Sequence, residues 1–185
     1  MTETFFSVDV ETSGPIPGRF SLLAIGACRV DDPSFRFSAE LQPETSEADP
    51  EALAVSGLSM ERLLAEGEPA AAAARRLAEW VEAATPLDSR PVFVAFNAPF
   101  DWMFVADALQ RHVGRNPFGH SALDVKALAM GVFGIRWRDT SFADLAARVG
   151  VPDRLPHRAL DDAVLQAEVF RRILAEMTLR GGDSL

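Results

Sequence analysis

A single cysteine, Cys28, occurs in 185 residues. That scarcity excludes an internal disulfide framework and any all-cysteine zinc site, and it makes a reducing compartment the simpler expectation. Cys28 itself lies in an apolar run and reads as inert core. No uninterrupted apolar stretch approaches the ~20 residues of a membrane span, and "MTETFF" lacks a basic leader ahead of a hydrophobic segment. A soluble cytoplasmic protein without a membrane partner is therefore expected. There is no internal repeat, and no run biased enough to suggest a disordered tail longer than the last few residues, "RGGDSL". Positive charge is also short. The formal net charge is -9, whereas a phosphate backbone is normally met by an excess of Lys and Arg. Any polyanionic partner needs a local basic rim or a bridging metal. Arg136, Arg138, Arg148, Arg154 and Arg158 form one candidate rim, diluted by Asp139, Asp144 and Asp153; a solvated surface with scattered arginines is the alternative.

What is present suits one globular domain. The chain is 48% hydrophobic, enough for a core at this length, and two full domains would be crowded. The expected division is a single domain over 1–180 and a short flexible tail at 181–185. From Phe5 to Glu11 the sequence alternates, with Phe6, Val8 and Val10 on one face and Ser7, Asp9 and Glu11 on the other. Turn residues in "TSGPIPG" end that strand; "LLAIGACRV" (22–30) and "FRFSAEL" (35–41) follow as two more, joined by "DDPS". Short links make the three an antiparallel meander.

After the polar loop "QPETSEADPE" the character changes. "AAAAARRLAEWVEAA" (70–84) is rich in helix formers, with Leu77, Trp80 and Val81 spaced for one face. "PVFVAF" (91–96) suits a buried parallel strand and feeds the helical "FDWMFVADALQRH". "SALDV" reads as a further strand, "KALAMGVF" and "SFADLAARVG" as short helices, and "ALDDAVLQAEVFRRILAEM" (159–177) as a long closing helix. Ser141 is placed to cap the second short helix, and Gly150 with Pro152 to stop it. The order βββ-α-β-α-(β)-α-α predicts an α/β fold, a mixed sheet with helices on both faces.

Asp9 and Glu11 stand two apart on a strand, so their carboxylates project from one face. In a partly dry site such a pair repels, and the remedies are a raised pKa or a bound cation. No Lys or Arg lies within the strand, which favours a hard divalent cation with oxygen ligands; a solvated strand end is the alternative. In "FNAPFDWM", Asp101 opens a helix after an apolar strand, at the sheet edge where α/β folds place ligands. In "PHRALDDAV", His157 precedes a helix whose first turn holds Asp161 and Asp162. Capping and the helix dipole also account for acids there.

Together these stretches resemble the DEDDh exonuclease family, the DnaQ-like 3′→5′ exonucleases that include the polymerase III proofreading subunit, ribonuclease T and oligoribonuclease. "VDVETSG" resembles the family's Asp-x-Glu motif, "FNAPFD" its Asn-Ala-x-Phe-Asp motif and "HRALDDA" its His-x-Ala-x-x-Asp motif, in order over nearly the whole chain. "AVSGLSMERL" is similar to the loop that lies near the 3′ end of the substrate. Phe96 and Pro99 depart from the residues frequent around Asn-Ala.

The resemblance implies a ribonuclease-H-like fold and a metal-dependent 3′→5′ exonuclease that releases nucleoside 5′-monophosphates from single-stranded DNA or RNA. It implies two divalent cations, Mg²⁺ or Mn²⁺, held by Asp9, Glu11, Asp101 and Asp162, with His157 as general base. The five-residue step from His157 selects Asp162 over Asp161, and Asp124 falls where relatives carry a structural Asp. Thr12, Leu58, Met60 and Phe100 are expected at the terminal nucleotide. Partners would be 3′ ends of single-stranded nucleic acid, with a homodimer or a polymerase or repair partner also in view. Competing readings are an endonuclease of the same fold, a nucleic-acid-binding or polymerase-associated subunit with weak or no nuclease activity, and a globular protein with a structural Mg²⁺ or none.

Overall fold

The alternation centred on Phe5–Glu11 folds as β1 (Thr2–Thr12), a strand longer at both ends than the pattern predicts. A computed structural model describes residues 2–153 and 155–181. β2 (Leu22–Arg29) and β3 (Arg36–Glu40) follow as the antiparallel meander. β4 (Ser89–Ala95) lies parallel to β1, and β5 (Ala122–Asp124) parallel to β4, so the sheet order is β3-β2-β1-β4-β5. β1 is thus central, and its C-terminal end opens where the connections leave the sheet in different directions.

Seven α-helices accompany the sheet among the described residues: α1 (Pro50–Ser56), α2 (Met60–Glu66), α3 (Ala70–Ala84), α4 (Ala98–Val113), α5 (Val125–Phe133), α6 (Phe142–Val149) and α7 (Ala159–Gly181). Phe6, Val8 and Val10 of β1 pack with Leu77 and Val81 of α3 and Phe104 and Leu109 of α4. The other face belongs to α5, α6 and α7, where Phe5 meets Phe170 edge-on with centroids 5.3 Å apart. Helices therefore cover both faces, as the element order predicts. Cys28 is fully buried in this second layer, and burial pushes its thiol up to about 12, so it stays protonated. No helix among the described residues is long and apolar enough to cross a membrane.

Two expectations are corrected. The polar loop expected over 42–51 stops at Asp49 and the loop expected at "AVSGLSMERL" does not form as one, because the cap residues Asp49 and Ser59 start two helices of seven residues each. The Asp49 carboxylate accepts from Glu51 N ahead of Pro50, Gly57 ends α1 in the left-handed region, and the Ser59 hydroxyl accepts from Arg62 N. Most of "AVSGLSMERL" is therefore helical. A single 3₁₀ turn, Trp137–Asp139, also forms between α5 and α6. Ser141 does cap α6, accepting from Asp144 N, and Gly150 closes it. Of the expected tail at 181–185, only Gly181 is among the described residues, and it ends α7.

One glycine sets how α7 meets the sheet. Gly26 of β2 is the register partner of Asp9, and a Cβ built on it would stand 2.1 Å from the backbone carbon of Ala159. Only a residue without a side chain admits the start of α7 there. The first turn of the helix, with Asp162, is thereby pressed against the strand pair that carries Asp9.

Candidate active site

Asp9 and Glu11 lie on the α7 side of β1, and a carboxylate oxygen from each comes within 4.8 Å of one from Asp162. Asp101 reaches the same end of the sheet from the first turn of α4. It is 4% exposed, and its Oδ1 accepts a hydrogen bond from Val10 N at 3.1 Å. All four acids, with Phe96, Asn97, Phe100, Leu155 and His157, line one cavity of about 170 Å³. The structure thus brings together the five residues singled out from the three motifs.

Two backbone devices hold this arrangement. Asn97, with φ 68, turns the chain from β4 into α4, a conformation that asparagine tolerates better than most residues. Asp124 uses both carboxylate oxygens on backbone: Oδ2 accepts from Ala98 N at 2.6 Å and Oδ1 from Ala127 N at 2.7 Å, so it caps α4 and α5 together. That is a structural role, in line with its expected place outside the ligand set. His157 sits before α7, exposed and also left-handed, with φ 56.

Gln166 carries no motif signal and is nevertheless central. It is 2% exposed on α7; its Nε2 donates to Asp9 Oδ1 at 2.6 Å, and its Oε1 accepts from Phe96 N at 3.0 Å. One amide therefore ties α7 to β1 and to the end of β4. The available sequence signal is its spacing: four residues beyond Asp162 places it on the same helix face.

The electrostatics follow from this crowding. Burial, then the charges of Asp101, Asp162 and Glu11, raise Asp9 well above the usual carboxylate range, while the Gln166 amide works against them. Burial and then Asp162 push Glu11 up to about 7. Burial raises Asp101 to about 8 despite the Val10 N–H, and raises Asp162 to about 6 despite His157. Asp162 Oδ1 is buried without a hydrogen-bond partner, and among the described residues no Lys or Arg pairs with Asp9, Glu11 or Asp162. An oxygen-rich, net-negative cluster with an unused buried lone pair and no side-chain cation fits hard divalent ions.

The other expected contacts divide. Thr12 and Phe100 line a hollow of about 360 Å³ that borders Glu11, and Leu58 lines one of about 480 Å³ between Glu11 and His157. Met60 is not brought to the acids. It lines a separate hollow with Pro43, Glu44 and Leu64, because α2 turns its start toward the loop after β3. The basic rim is also mostly committed elsewhere: Arg136 pairs with Asp139 at 2.8 Å, Arg158 with Asp161 at 3.5 Å, and Arg148 lies over the Phe133 ring. Arg154 is outside the described residues. Arg138 has no carboxylate partner among them.

The exonuclease family model matches residues 6–170, a span that contains every acid of the cluster and His157. The chain belongs to the exonuclease family. Among relatives of this exonuclease is the 3′-5′ DNA exonuclease Cap18 of Escherichia coli, 44% identical over 171 residues, or 92% of this chain and 91% of that one. The DNA polymerase III subunit epsilon of Treponema pallidum is 27% identical over 181 residues, covering 96% and 80%. In structure, the nuclease domain of 3′hExo, a DEDDh family member bound to rAMP, superposes with a TM-score of 0.75 at 12% identity, over 100% of this exonuclease and 95% of that chain. The ribonuclease-H-like fold expected from the motifs is the fold observed.

Proposed function

We propose that this 3′→5′ exonuclease removes nucleotides one at a time from the 3′ end of single-stranded DNA, releasing nucleoside 5′-monophosphates. The observation that carries the reading is the carboxylate cluster of half-buried Asp9 and Glu11 with buried Asp162 and its unpartnered oxygen, beside Asp101 and His157. The 44% identity to a relative named a DNA exonuclease supports DNA over RNA.

Asp9, Glu11, Asp101 and Asp162 would hold two divalent cations, Mg²⁺ or Mn²⁺. Bound there, such ions supply Lewis-acid activation of water and charge neutralisation at the phosphate and the leaving oxygen. The protein's own residues do the rest. A neutral His157 imidazole takes one proton from the attacking water, whose oxygen forms the new bond to phosphorus as the bond to the 3′ oxygen breaks. The leaving oxygen is protonated from solvent, and exposed His157 passes its proton outward. Gln166 keeps Asp9 in one orientation, and Val10 N–H does the same for Asp101. Thr12, Leu58 and Phe100, in the hollows beside Glu11, would receive the terminal nucleotide.

The test uses 5′-labelled DNA and RNA strands of equal sequence with Mg²⁺, Mn²⁺ or chelator, beside Asp9→Ala and His157→Ala. A metal-dependent ladder shortening from the 3′ end of the DNA strand, absent in both variants, is expected. Cuts within a circular strand, or shortening that survives chelator, would overturn the assignment.

A further inference from the structure

The sequence contains one lysine, Lys126. It lies at the start of α5, two residues after the Asp124 that caps α4, and among the described residues no carboxylate pairs with it. Most described arginines are tied to acids, so an uncommitted cation at this position is unusual in a chain of net charge -9. Its Nζ stands 4.3 Å from the centroid of the Trp137 ring and 5.8 Å from that of Phe96. Phe96 is itself braced edge-on by Phe142 and lines the cavity of the four acids. A continuous series thus runs from the catalytic cavity through Phe96 and Lys126 to Trp137.

The outer end of that series is open. Trp137 is 48% exposed on the 3₁₀ turn, next in sequence to Arg138, which is exposed and without a carboxylate partner among the described residues. The other two tryptophans are partly buried against the core, Trp80 on Phe6 and Phe37 and Trp102 on Phe93. An indole held half in solvent by a lysine beneath it keeps a flat apolar face beside positive charge. Single-stranded nucleic acid has the complementary chemistry, since every base offers a π-face and every link a negative charge.

We infer that Trp137, Lys126 and Arg138 form the grip on the substrate strand upstream of the scissile bond: a base stacks on Trp137 while Lys126 and Arg138 meet the adjoining phosphates, and Phe96 joins this platform to the acids. The inference rests on the exonuclease reading of the acids for the direction of the strand. It also explains how an acidic protein holds a polyanion, because contact is confined to a small face rather than spread over a basic track. The four acids and His157 act at the terminal nucleotide, and this platform sets affinity for the nucleotides behind it.

Binding is measured apart from cleavage, in an Asp9→Asn background, with an oligothymidylate of about a dozen nucleotides. The oligonucleotide is expected to quench tryptophan emission, since Trp137 is the exposed indole. Trp137→Ala is expected to remove the quench and weaken binding at least about fivefold, the low end for loss of one stacked base. Lys126→Gln weakens it in the same direction, and Trp137→Phe recovers most of the loss while Trp137→Leu does not. Affinity within about twofold of the parent for Trp137→Ala, or recovery by leucine equal to that by phenylalanine, overturns the proposal. With Asp9 intact, the ratio of kcat/KM on the oligonucleotide to that on the p-nitrophenyl ester of thymidine 5′-monophosphate should fall in Trp137→Ala, because the ester has no upstream nucleotide. A protein that cleaves neither substrate would sink the exonuclease reading, and the binding series would still decide the platform.

Discussion

At the scale of single residues, the site is a set of charges that folding alone disfavours. Raised carboxyls bind protons more tightly in the folded chain than in the unfolded one, so they favour folding at low pH and lose that contribution as pH rises. The window runs from the unfolded carboxylate range near ~4 up to the value of about 8 for Asp101. In chelator, the Tm should therefore fall between pH 5 and pH 8 by about 4 °C or more, corresponding to roughly 1–2 kcal/mol for a chain of this size. Mg²⁺ should restore more at pH 8 than at pH 5, where protons compete for the ligands. A melting temperature that is flat or rising across that range would count against a crowded, partly desolvated four-acid cluster. Gln166→Leu makes a separate prediction. It leaves Phe96 N–H without its acceptor and Asp9 without its donor, so stability should drop by about 1–3 kcal/mol in urea titrations; no drop would mean that the amide does not hold both partners. The motif acids were legible in the sequence because each sits at a strand end or helix start with a recognisable spacing. Gln166 was not, since a glutamine inside a long amphipathic helix reads as surface until the fold shows what it faces.

Among the elements, the contact between α7 and β2 is the one on which the geometry turns. A methyl group at Gly26 meets backbone, not a flexible side chain, so Gly26→Ala must lift the start of α7 away from Asp9. Displacements of this order cost about 100-fold in rate when they separate catalytic groups. The expected result is a fall in kcat/KM of at least that size with the far-UV circular dichroism retained; near-normal activity would show that Asp162 tolerates movement. The long elements were legible from periodicity: α3 spans the predicted 70–84, and β4 and α4 each differ from expectation by a few residues at their ends. α1 and α2 were not, because seven residues carry too few turns for an amphipathic period, and their only signatures are the caps at Asp49 and Ser59. Gly26 was hidden for another reason: a glycine in an apolar strand announces a close approach but not by what.

For the whole molecule, charge and stability are the quantities at stake. With few uncommitted cations on the strand-facing side, nucleic-acid binding should depend only weakly on salt. Two phosphate contacts give a slope of log KM against log salt of about 1–2 in magnitude, from ~0.7 per contact for single strands. A slope above about 4 between roughly 50 and 200 mM NaCl would reveal a basic track that the described residues do not contain. The backbone at His157 bears on stability in a different way. Its φ of 56 lies in the left-handed region, which glycine adopts freely and which histidine, like asparagine, enters more readily than most residues but still at a cost. On the proposed mechanism the position therefore opposes two demands, one for a chain that folds well and one for a side chain that moves a proton. Replacing His157 with glycine, which removes that cost, should raise thermal stability by about 0.5–1 kcal/mol while ending catalysis. A sturdier but inert protein would lie one substitution away, and the enzyme would be the less stable of the two.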